Sequence, residues 1–141
     1  MGYDLIIIDS IICDSYLEIM YDGDNPNRKP LLELQTMSAD LIANKKDGLL
    51  LITSKTKEVM EKKYFNNALP ISLSCLLGAC KEIDIFSKDE VDSIVKASSL
   101  LFWKKVKFCV LTGNSLLKER LSFLKFKVYD FSETQKLFSE L

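Results

Sequence analysis

The chain has 141 residues and a net charge of −1, from 19 Lys and Arg against 20 Asp and Glu, so no global basic field marks it as a polyanion binder. It contains no histidine, which excludes His-based catalysis, and its four cysteines, Cys13, Cys75, Cys80 and Cys109, lack the spacing of a zinc site. The length suits one domain over 1–141, and with no basic leader pattern and no apolar run of spanning length the expectation is a cytoplasmic protein with free buried thiols and no membrane partner.

The first element is LIIID, 5–9, where four apolar residues, three of them β-branched, read as a strand buried on both faces and ended by Asp9. A carboxylate in that place must be met by a cation, a proton or a row of donors. A helix over about 11–21 follows, then the turn-rich DGDNPNRKP, with Pro30 suited to the first position of a helix reaching about Asn44. GLLLIT, 48–53, is the second strand, and a helix from Ser54 to about Tyr64 carries Lys62 and Lys63 at its carboxyl end, where cations are favoured. ISLSCLLGAC, 71–80, reads as a core helix, although a short apolar run does not separate helix from strand.

In SKDEVDSIVKASSLLFW, Val91, Ile94, Val95, Ser98, Leu101 and Phe102 form one helical stripe, and Ser87 with Glu90 makes a capping box. KFCVLT, 107–112, is the third strand, Asn114 caps a helix through about Leu124, FKVYD, 126–130, is the fourth strand, and Ser132 with Gln135 makes a second capping box for a final helix. This order predicts an α/β three-layer sandwich, a small parallel sheet of four to five strands flanked by helices.

In such a sheet, ligands gather beyond the carboxyl ends of the strands, here Asp9-Ser10, Thr53-Ser54, Thr112-Gly113-Asn114 and Asp130. Asp9, Glu58 and Asp92 all fall near that edge. Three converging carboxylates would raise one another's pKa unless a divalent cation sat among them, and Mg²⁺ or Mn²⁺ holds a water that can attack a phosphodiester. Each acid also has a plain structural reading. Asp9 can cap the following helix, Glu58 can pair with Lys62, and Asn114 suits a turn and a cap. Asp89 and Glu90 are explained by the helix start and the capping box, which leaves Asp92 as the favoured ligand and Glu90 as its reserve. Lys55 and Lys57 flank the site and suit phosphate contacts, while the stripe makes Phe102 core and leaves Trp103 free to stack on bases.

Asp9-Ser10, TSKTKEVMEKK with Glu58, KDEVDSIVKA with Asp92, and FCVLTGNSLLKERLSFLKFKVYD resemble the four successive motifs of PIN-domain proteins. The resemblance covers essentially the whole chain. It implies a small α/β fold and a metal-dependent ribonuclease similar to the toxins of toxin–antitoxin pairs. Asp9, Glu58 and Asp92 would bind Mg²⁺ or Mn²⁺, Asn114 would stand where an Asp is commoner, and Ser10 and Thr112 would orient carboxylates or water. It further implies RNA as substrate, an antitoxin protein as partner, and a homodimer, with the helices at 11–21 and 31–44 supplying contacts. The missing charge at Asn114 keeps a second reading open, a catalytically weak PIN-like module that binds RNA or protein. A haloacid-dehalogenase-like phosphatase ranks lower, because Ile11 stands where that family has its second Asp.

Overall fold

The structure is a computed structural model that describes residues 2–64 and 69–141. At its centre lies β1 (Leu5–Ile8), whose Ile6, Ile7 and Ile8 are at most 2% exposed because the strand is covered on both faces. β2 (Leu50–Thr53), β3 (Cys80–Ile83), β4 (Phe108–Thr112) and β5 (Val128–Asp130) complete a parallel sheet of order β3-β2-β1-β4-β5. The helices are α1 (Ser10–Met20), α2 (Arg28–Ala43), α3 (Ser54–Lys63), α4 (Ile71–Gly78), α5 (Glu90–Trp103), α6 (Ser115–Phe123) and α7 (Thr134–Ser139), with a 3₁₀ turn at Phe131–Glu133. The predicted α/β three-layer sandwich is the architecture observed.

The period of two along each strand sorts the core into two halves. Ile6, Ile8, Leu50, Ile52, Cys109 and Leu111 pack on one face against Ile12 and Tyr16 of α1, Leu34 of α2, Leu73 of α4 and Leu137 of α7. Ile7, Leu51, Phe108 and Val110 pack on the other against Ile94, Ala97 and Leu101 of α5 and Leu117 and Leu121 of α6. Ser38, fully buried in α2, joins elements on the first face: its hydroxyl accepts from Leu49 N and Leu50 N, both at 3.0 Å, and donates to Ala79 O at 2.5 Å. Gly48 is needed beside it, since a Cβ there would lie 2.9 Å from Ser38 Oγ.

Three helix-to-strand turns share one geometry. After α2, α5 and α6 the chain turns through Lys45, Lys105 and Lys125 with φ of 60°, 60° and 64°. The next amide returns to the helix each time: Lys46 N to Leu41 O at 2.9 Å, Val106 N to Leu101 O at 3.0 Å and Phe126 N to Leu121 O at 3.0 Å. These are Schellman caps with lysine in the left-handed position that glycine usually takes.

Several local expectations are corrected. The helix expected over 71–80 ends at Gly78, and Cys80 opens an unexpected edge strand over 80–83, because pairing with β2 overrides a sequence, CKEI, that has no apolar run. α2 is capped by Asn27 and starts at Arg28, which puts Pro30 third rather than first. Neither predicted capping box forms. Asp89 caps α5, and the box near the carboxyl terminus uses Asp130 with Glu133. Phe102 is 69% exposed, because the last turn of α5 runs past the sheet it packs on. Cys13 and Cys109 are buried as expected, but Cys80 is only half-buried and Cys75 is exposed; all four are free thiols. Among the described residues no helix is long and apolar enough to cross a membrane.

Candidate functional site

From β1 the chain builds outward through β2 and β3 on one side and through β4 and β5 on the other, so the topological switch point lies between β1 and β4. Asp9 stands there at 1% exposure. Its carboxylate is met by donors: Ile12 N at 2.8 Å, as the N-cap bond of α1, Gly113 N at 3.2 Å, and the Thr112 hydroxyl. The Thr112 oxygen in turn accepts from Asn114 N at 2.9 Å. Burial pushes the Asp9 carboxyl above its ordinary range, the bonds from Thr112 and Ile12 oppose that shift, and the charge of Glu90 adds to it.

Glu90 is the second acid at this edge. With Asp89 capping α5 through Asp92 N at 2.8 Å, Glu90 falls in the first turn and faces the start of α1. It accepts from Ser10 N at 2.9 Å, Ser10 Oγ at 2.7 Å and Thr56 Oγ1 at 2.6 Å. Asp9 and Glu90 therefore both satisfy amides in the first turn of α1, one from within the chain and one across the fold. Behind them Thr53 and Ser93, both fully buried, share a 2.7 Å hydroxyl contact, and Thr53 caps α3.

Two other candidate acids lie elsewhere. Glu58 is exposed on α3 and pairs with Lys55 at 3.5 Å and Lys62 at 3.2 Å, and Lys62 above all holds its carboxyl below the usual range. Asp92 pairs with Lys96 at 3.1 Å and accepts from Lys88 N at 3.3 Å, and Lys96 chiefly lowers its pKa. Asn114 caps α6, its Oδ1 accepting from Leu117 N at 3.2 Å, and Lys57 pairs with Glu82 at 3.2 Å. The structure thus brings together Asp9, Ser10, Thr112 and Asn114 of the predicted set, and leaves Glu58, Asp92, Lys55 and Lys57 in surface ion pairs.

Sequence reasoning held Glu90 only in reserve behind Asp92 and placed Thr53 at the edge without a role, and it passed over Thr56 and Ser93. The available signal was the run TSKT at the end of an apolar strand, where a capping Thr53 and a threonine three residues on stand together at the start of the following helix.

This arrangement does not fit a Mg²⁺ or Mn²⁺ centre. A hard divalent ion needs several oxygen lone pairs turned toward one opening. Here six internal donor contacts already engage the Asp9 and Glu90 carboxylates. Ile11 also lies over Gly113 so closely that a Cβ there would be 2.3 Å from Ile11 Cγ2. Among the described residues no group of three or more acidic, Cys or His side chains could hold a metal. No protein-family model matches the chain, and no curated protein matches it either.

Proposed function

We propose that the chain is a PIN-like domain that acts as a binding module, in which the acidic centre has become a structural clasp. Support for the PIN-like part is the resemblance of the four segments together with the parallel α/β sheet. One observation supports a structural rather than a catalytic centre: the oxygens of Asp9 and Glu90 accept from backbone amides and hydroxyls of α1, α3 and the β4–α6 turn. Four free cysteines support a reducing cytoplasm as its compartment.

A second reading, a Mg²⁺- or Mn²⁺-dependent ribonuclease with RNA as substrate and an antitoxin as partner, draws support from the meeting of Asp9 and Glu90 beside Ser10 at the switch point. Thermal melting in Mn²⁺ separates the two, since a ligand that binds only the folded state must stabilise it. The binding module predicts the same response to Mn²⁺ in wild type and Asp9→Asn, and intact single-stranded RNA after incubation with either. A Mn²⁺-dependent rise confined to wild type, with RNA cleavage lost in Glu90→Gln, would replace it with the ribonuclease.

A further inference from the structure

The amino-terminal edge of the sheet, opposite Asp9 and Glu90, carries a surface that neither the fold nor the acidic centre explains. The adjacent turns α5–β4 and α6–β5 repeat one order of side chains: Trp103-Lys104-Lys105-Val106-Lys107, then Phe123-Leu124-Lys125-Phe126-Lys127. They lie side by side because β4 pairs with β5. Phe126 bridges them, its ring 5.7 Å from Phe102 and 5.8 Å from Phe108, so the two tips form one rigid unit.

Large apolar side chains stand in solvent on this unit: Trp103 is 82% exposed, Phe123 85% and Phe102 69%. Around them Lys104, Lys105, Lys107, Lys125 and Lys127 are all exposed, and among the described residues no carboxylate lies within ion-pair distance of them. A cation near a helix end is favoured by the helix dipole, which accounts for Lys104. It does not account for Lys107 and Lys127, beyond the helices, or for lysine in place of glycine at two left-handed turns. The whole chain carries a net charge of −1, so five lysines on one edge are a local excess of positive charge, with Glu140 the acid that shares the groove of Lys107, Lys125 and Lys127.

We infer that this edge adsorbs to an anionic lipid surface, the rings entering the headgroup layer and the lysines meeting lipid phosphates and carboxylates. The contact lies in the plane of the membrane and involves no spanning segment. Three other occupants fit less well. A second copy of the chain would set lysine against lysine. Single-stranded nucleic acid stacks on aromatic planes, which leaves the exposed Leu124 unused. An uncharged membrane would leave the lysines without partners. The inference goes beyond the binding reading above and holds whether or not Asp9 and Glu90 are catalytic.

Trp103 is the one tryptophan of the chain, so its emission reports directly on the surface. The full-length protein is titrated with phosphatidylcholine vesicles containing about one-third phosphatidylserine, with pure phosphatidylcholine vesicles, and with a single-stranded oligouridylate, and vesicle binding is also read by sedimentation. A blue shift and co-sedimentation with the anionic vesicles alone, reversed at roughly 0.5 M salt, is the expected result. Each lysine is expected to contribute about fivefold to partitioning, so Lys105→Glu with Lys107→Glu and Lys125→Glu should lower it more than a hundredfold. Lys107→Gln with Lys127→Gln, which leaves the left-handed turns untouched, repeats the test at smaller amplitude should the triple variant misfold. Equal binding to neutral vesicles, no response to anionic ones, or partitioning unchanged in the lysine variants would overturn the inference. So would a Trp103 response to the oligonucleotide alone, which would make the edge a nucleic-acid site.

Discussion

Replacing Asp9 by alanine separates a structural clasp from a ligand site, because the two give stability changes of opposite sign. The variant loses the N-cap bond to Ile12 N, a loss of about 1 kcal/mol at a helix start. It also leaves the buried Thr112 hydroxyl without its acceptor, at about 1–3 kcal/mol, while the N–H of the exposed Gly113 can turn to water. Against this stands the relief of a carboxylate that burial disfavours, as its raised pKa records. The net expectation is a loss of about 2–4 kcal/mol, which at roughly 3 °C per kcal/mol for a chain of this size lowers the melting temperature by about 10 °C. The measurement is urea and thermal unfolding by circular dichroism in EDTA, with Asp9→Asn expected between the alanine variant and wild type. An acid kept for a ligand behaves differently: removing it relieves strain, and the unliganded protein becomes more stable. Asp9→Ala as stable as wild type or more so in EDTA would therefore refute the clasp.

The pH dependence of that same group has a definite sign. The folded pKa of Asp9 lies above the unfolded value, so its favourable contribution is present below the unfolded pKa and lost as pH rises through the folded one; wild type should gain on Asp9→Asn as the solution is acidified. Asp130 runs the other way, its carboxyl held down to about 2 first by Lys118 and then by Ser132. Its contribution is present above the unfolded value and lost as pH falls through about 2, and with the side chain 38% exposed, screening limits it to about 1 kcal/mol; equal acid stability of Lys118→Met and wild type would reject it. Gly113→Ala should cost about 1–3 kcal/mol by driving a Cβ into Ile11, and Ile11→Ala should recover most of it in a double-mutant cycle read by urea unfolding. Glu58→Gln and Asp92→Asn should leave the melting temperature within the scatter of wild type, since both acids sit in surface ion pairs.

The elements easiest to read in the sequence were those whose burial is symmetric. LIIID, GLLLIT and KFCVLT are apolar on both sides of the backbone, and each became a strand within two residues of its expected limits. β3 escaped notice because an edge strand has one neighbour and needs no apolar run; CKEI carries Lys81 and Glu82 exposed in mid-strand. Phe102 and the first capping box failed for one shared reason. A helical stripe gives the phase of a helix but not where the sheet beneath it stops, nor which of Ser87 and Asp89 its first amide bonds to.

That choice of cap also decided the site. Had Ser87 capped α5, Glu90 would have been held in a capping box and Asp92 left as the free acid. With Asp89 as the cap, its carboxylate takes Asp92 N, Asp92 turns to Lys88 and Lys96, and Glu90 faces Ser10 and Thr56. The acids at 90 and 92 thus exchange roles through a shift of two residues in the helix start. Pairwise, each alternative satisfies the local rules. What selects between them is the environment of α1, whose first amide, Ser10 N, has no other acceptor among the described residues and lies beside a buried carboxylate that already serves Ile12. Glu90 answers that need and raises the cost of ionising Asp9, so the fold places two carboxylates together because a helix start requires them.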